Sequence, residues 1–162
     1  MRRKTHYSFN NQHTMNIQEL NEKAPSDYPK CLQADCPAAD QCLRNLMGRA
    51  VSEKAIVMTV INPKNLKPEL GTSCPYFHST QPVRMARGFT KALDNVRHGE
   101  VKKIVAELSQ LFDERLYYRF RKGERLINPQ QQAIIAEVLT RHGASQPVEF
   151  DSYEEGYNWV QL

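Results

Sequence analysis

The chain has 162 residues, 40% hydrophobic and 25% charged, with a formal net charge of +4. That length and apolar content suffice for one ordinary core, or one with a small satellite, and leave no room for more. The mild basicity, with a pI near 8.9, permits a nucleic-acid partner without demanding one. No apolar run approaches the length of a membrane span, and no hydrophobic stretch follows Arg2, Arg3 and Lys4. Neither an anchor nor a signal peptide is expected, and the expected location is cytoplasmic.

Residues 1–14 are polar and lack apolar periodicity, so they read as a disordered arm. Residues 15–79 form a cysteine-containing segment. Cys31, Cys36 and Cys42 are separated by four and then five residues, and Cys74 stands in SCPYFH. Reduced thiolates are soft ligands, so these four cysteines are the expected metal ligands, with His78 as the substitute should one be missing. The spacing is wider than in most structural zinc sites, and Cys36 and Cys74 each precede proline. That leaves an iron–sulfur cluster and zinc both open. The alternative is that the cysteines are small buried hydrophobes.

Helical character is expected over 38–51, with Cys42, Leu43, Leu46 and Met47 inward and Arg44 and Arg49 outward. The uncharged, β-branched AIVMTVI of 55–61 predicts a strand, and residues 148–150 are the best candidate for its partner. The stretch 64–79 is broken by Pro68, Gly71 and Pro75 and reads as a loop carrying Cys74.

A helical unit is expected over 80–143. Val83, Met85, Ala86, Phe89, Leu93 and Val96 suggest a helix across 81–96, with Arg84 and Arg87 on its basic side. Val101, Ile104, Val105, Leu108, Leu111 and Phe112 mark the apolar stripe of the next helix. Asp113 offers an N-cap to a third, in which Leu116, Tyr117 and Phe120 point inward. Gly123 can end that helix in a left-handed conformation, and Asn128, Pro129 and Gln131 supply a capping box and first-turn proline for the last helix. Residues 144–162 make a C-terminal strand and an acidic tail, with Trp159 in a packing role.

The fold class that follows is mainly α within α+β. It comprises a helical bundle, a small two-stranded β element and a cysteine-rich N-terminal segment. Glycine-rich phosphate loops, nucleophile elbows and paired-histidine metal motifs are all missing from the sequence. A non-enzymatic role is expected.

The run YYRFRKGERLINPQQQAIIAEVL resembles the second half of a repressor-type, Cro-like helix-turn-helix. The resemblance implies that Asp113 caps a recognition helix, that Glu114, Arg115, Tyr118 and Arg119 face the DNA major groove, and that Tyr117 and Phe120 are buried. Arg121, Lys122 and Arg125 would lie near phosphates, joined by Arg84 and Arg87. The likeness is degenerate, since Leu111 and Phe112 occupy the turn where that family has glycine. Taken whole, CLQADCPAADQCLR, SCPYF and LYYRFRKGER followed by NPQQQ are similar to an uncharacterised family of small Bacteroides-type bacterial proteins. The expected function is nucleic-acid binding, of DNA or RNA and in transcription regulation, beside a cysteine-ligated metal. The alternatives are a protein adaptor using the same basic face and a metal or iron–sulfur redox protein. A homodimer is expected if the half-sites are palindromic.

Overall fold

A computed structural model describes residues 17–94 and 96–159, so the expected N-terminal arm lies outside the described residues. The chain divides between His78 and Ser79 into two compact units. The class is α+β: mainly helical, with one two-stranded antiparallel sheet among the described residues.

The first unit holds two short helices, α1 (Ile17–Lys23) and α2 (Leu43–Arg49), joined and followed by loops and 3-10 turns at 39–41, 63–65 and 68–73. Its small core gathers Leu20, Tyr28, Leu43, Leu46 and Met47. The helix α2 is the post to which the loops are tied. Cys31 N–H donates to the Arg44 carbonyl at 2.9 Å, Leu43 N–H donates to the His78 carbonyl at 2.7 Å, and Asn45 Nδ2 donates to the Gln33 carbonyl at 2.7 Å. Gly48 lets the Cys31 loop approach, since a Cβ there would overlap the Cys31 carbonyl oxygen.

The second unit begins with β1 (Val83–Arg87) and α3 (Thr90–Asp94). It continues through α4 (His98–Phe112), α5 (Glu114–Arg121) and α6 (Pro129–Arg141) and returns as β2 (Ser152–Gly156). The strands pair with Val83 opposite Gly156 and Arg87 opposite Ser152. Beyond β2, β1 is held by Ile127, which exchanges both backbone hydrogen bonds with Ala86 at 2.9 Å, and by Gln132 Nε2, which donates to the Arg84 carbonyl at 2.8 Å. Phe89, Tyr117, Phe120, Ile127, Ile135 and Leu139 are essentially fully buried. Each such aliphatic or phenyl side chain contributes about 1.5–3 kcal/mol of transfer free energy. Phe89 and Tyr117 meet edge to face at 6.0 Å, as do Phe112 and Phe120 at 5.4 Å.

The helix joints follow from sequence chemistry. In α4, Ile104 and Leu108 are buried and Val101, Val105 and Phe112 half-buried, the stripe that a 3.6-residue period requires, while Leu111, expected within it, is 55% exposed. Asp113 alone separates α4 from α5, at φ +63°, and its carboxylate accepts from Leu116 N–H at 2.8 Å. A non-glycine residue holds that conformation at a steric cost, which the cap offsets. Gly123, at φ +72°, lets the chain leave α5, and Asn128 and Gln131 complete a capping box at the start of α6.

Several expectations are corrected. AIVMTVI is not a strand: Ile56 is 96% exposed, Val57 is 87% exposed, and the segment makes one isolated parallel bridge, Lys30 with Val60. The expected helix over 81–96 is instead β1, a turn at Gly88 and the short α3, because both edges of 83–87 find backbone partners. The C-terminal strand runs over Ser152–Gly156 rather than 148–150, and its partner is β1. Arg44, expected outside, is only 3% exposed.

Candidate functional site

The eight expected nucleic-acid contacts fall into two groups. Arg115, Tyr118, Arg119 and Lys122 recur at i, i+3, i+4 and i+7 on one side of α5 and its last turn. Arg115, Tyr118 and Lys122 are exposed and Arg119 half-buried, while Tyr117 and Phe120 anchor the opposite side. Among the described residues no carboxylate lies within salt-bridge reach of Arg115, Arg119, Arg121, Lys122 or Arg125. Arg121 lies against Tyr117, where burial raises the phenol above its ordinary range and Arg121 pulls the other way.

The two arginines of β1 are engaged. The Arg84 guanidinium stacks 3.7 Å from the centre of the Tyr153 ring. Arg87 donates from Nε to Glu154 at 2.9 Å and from Nη1 to the Gly123 carbonyl at 2.9 Å. Glu154 and Tyr153 of β2 thus cover Arg84 and Arg87, and of the eight expected contacts those left uncovered lie on α5 and the loop that follows it.

The four cysteines come together in the first unit. Cys31, Cys36, Cys42 and Cys74 all line one cavity of about 30 Å³, walled also by Asn45, Ile61, Leu66, Gly71, Tyr76 and Phe77. All four are free thiols, Cys42 buried at the start of α2 and the others half-buried on loops. Among the described residues no group of three or more His, Cys, Asp or Glu side chains is disposed to hold a metal ion. The thiols surround the cavity without closing on a common point.

His78, the expected substitute ligand, is committed elsewhere. Its Nε2 lies 3.2 Å from Arg44 Nη2, and its Nδ1 lies 2.8 Å from the Tyr28 hydroxyl. Arginine is always a donor, so Nε2 is assigned as the acceptor and Nδ1–H as the donor to Tyr28. Burial, reinforced by the Arg44 charge, pulls His78 down to about 4, so the ring is neutral near pH 7. Arg44 also lies 5.4 Å from the centre of the Tyr28 ring, and burial lifts the Tyr28 phenol far above its ordinary value. The sequence pointed to Arg44 outside and to His78 as no more than a substitute ligand. An arginine within the helical stripe Leu43–Met47 was the available signal.

A second histidine has the opposite setting. His142 Nδ1 sits 2.8 Å from Glu100 and its Nε2 3.0 Å from Glu107, joining the end of α6 to α4, with Arg141 also paired to Glu107. Hydrogen bonds to Glu100 and then Glu107 raise His142 above its ordinary value.

No helix among the described residues is long and apolar enough to cross a membrane. Neither a curated protein nor a solved structure matches the chain. A family model covers residues 11–159, spanning both the cysteine cavity and the α5 face, and the chain belongs to that family, DUF6078, a family of unknown function.

Proposed function

We propose that the protein is a non-enzymatic nucleic-acid-binding protein, of the transcription-regulatory class, that meets duplex DNA with the exposed face of α5. The observation supporting this is that Arg115, Tyr118, Arg119 and Lys122 share one helix face while Tyr117 and Phe120 are buried behind them. Guanidinium and ammonium groups pair with phosphates, and an exposed tyrosine can donate to a phosphate or pack on a sugar or base edge. Arg121 and Arg125 extend the positive surface. Arg84 and Arg87 stand outside this set, because Tyr153 and Glu154 hold them.

The repressor-type likeness lends further support, since the Asp113 cap and the buried Tyr117 and Phe120 stand where that pattern has them. The joint before α5 is a single residue, tighter than that family's glycine-containing turn. Phosphate and groove-edge contact is therefore what this face supports best, ahead of that family's own docking geometry.

The test is fluorescence anisotropy with a labelled duplex across a salt series. Five phosphate contacts give a slope of log K against log salt of about −4 to −5. Charge reversal in Arg115→Glu/Arg119→Glu lowers its magnitude by about two and cuts affinity at least about tenfold. Binding that persists in the double variant, or has no salt slope, defeats the reading. Duplex-independent capture of an acidic protein through the same residues would replace it with an adaptor role.

A further inference from the structure

Thiols that merely fill a core are found among aliphatic neighbours at scattered places. Here all four cysteines of the chain border a single cavity. They reach it from three separate places: Cys31 and Cys36 from the loop before the 3-10 turn at 39–41, Cys42 from the start of α2, and Cys74 from the end of the 3-10 turn at 68–73. The three that lie on loops are half-buried, so side-chain rotation is not blocked by close packing on every side. The loops themselves are pinned to α2 at Cys31, Gln33 and His78, which keeps the four together whether or not anything lies between them.

We propose that this cavity is the site of one thiophilic divalent cation of the zinc type, held by Cys31, Cys36, Cys42 and Cys74. Occupation draws the sulfurs inward by rotation about χ1, from their present positions around the wall to a tetrahedron with metal–sulfur distances of about 2.3 Å. The reaction balances as one divalent cation and four thiols giving a tetrathiolate complex of charge −2 and four released protons. The cavity, of about 30 Å³, has room for an ion among the four thiols. With His78 held by Arg44 and Tyr28, the ligand set is sulfur alone.

Cobalt(II) titration of the reduced full-length protein tests this. The expected result is one equivalent bound, with thiolate charge-transfer and tetrahedral d–d absorption that zinc(II) then bleaches. A thiol reagent should find four reactive groups without metal and lose them when zinc(II) is added. Cys74→Ser should weaken cobalt binding by more than about a hundredfold, beyond what loss of an outer contact costs. Should that variant fail to fold, the wild-type absorption and thiol protection decide the matter. The proposal is overturned if no thiolate band forms while four free thiols are counted. It is equally overturned if Cys74→Ser binds cobalt as the wild type does, or if protein purified without oxygen carries iron and a broad visible band lost in that variant.

Discussion

Arg87 and Glu154 lock β1 to β2 through two parallel hydrogen bonds, Nε to Oε2 at 2.9 Å and Nη2 to Oε1 at 3.3 Å. Both side chains are about two-fifths exposed, so the pair contributes no more than about 1 kcal/mol to stability. Its larger effect is on charge, since it withholds Arg87 from the basic surface beside Gly123. Glu154→Gln should leave the melting temperature nearly unchanged and steepen the salt dependence of duplex binding by about one contact. Anisotropy and thermal melting on the same preparation check this, and weaker binding by the variant would count against the α5 reading.

Gly88→Ala should be among the more damaging single substitutions. Gly88 sits at φ +63°, and an added Cβ would overlap the Asp151 carboxylate. That carboxylate accepts from Thr90 N–H and hydroxyl and from Lys91 N–H at 2.8–3.0 Å, so a residue far along the chain caps α3. Burial works to raise the Asp151 pKa, and these donors outweigh it and hold it low. Left-handed strain and loss of the cap together predict about 2–3 kcal/mol of destabilisation, read by urea unfolding.

Asn128→Ala removes two side-chain hydrogen bonds of a fully buried residue. Its Oδ1 accepts from Gln131 N–H at 2.8 Å, and its Nδ2 donates to Asn158 at 3.3 Å. A cap of this kind is worth about 1 kcal/mol, rising towards about 2 where the partners are buried. Equilibrium unfolding should show that loss, with Asn128→Asp recovering part of it.

Two histidines should give pH dependences of opposite sign. For His78 the folded value, about 4, lies below the ordinary 6.5, so between them the unfolded chain holds more protons than the native one. Stability from this site is complete above pH 6.5 and is lost as the pH falls towards 4. Wild-type melting temperature should therefore drop more steeply over that window than that of His78→Gln, and parallel curves would refute the buried neutral assignment.

For His142 the folded value is raised, so its contribution is complete below 6.5 and fades as the pH rises through that raised value. Its partners move the other way. Lys103 and then His142 lower Glu100, and His142 first among its neighbours lowers Glu107. Their contribution is present above 4.5 and is lost on acidification. The cluster, with Arg141 and Glu137 beside it, is therefore tightest between about 4.5 and 6.5. His142→Gln should flatten the alkaline side of the stability profile, which thermal melts from pH 6 to 9 will reveal.

The three long helices were legible because their signals are local. The stripe of Ile104 and Leu108, the caps Asp113 and Asn128, and the stops Gly123 and Gly143 each act within a few residues. The sheet was not. Val83, Met85, Ala86 and Phe89 satisfy a helical period as well as they satisfy a strand, and the deciding partners, Ser152–Gly156 and Ile127, lie far away in sequence. AIVMTVI failed in the reverse sense, having strand composition but only one bridge to pair with. Of the candidate sites, cysteine spacing foretold a gathering of four residues but not the cavity they share. Charge counting found the basic face but not that Tyr153 and Glu154 hold two of its members.

The trans cap by Asp151 has a consequence for synthesis. Arg87 and Glu154 are 67 residues apart, and neither β1 nor α3 has its completing partner until that later stretch has emerged. The three central helices carry their own caps and can settle early, while β1 waits as an unpaired edge. A nascent chain stalled before Asp151 would thus present formed helices beside an open strand, and the unit would close only as its last segment leaves the ribosome.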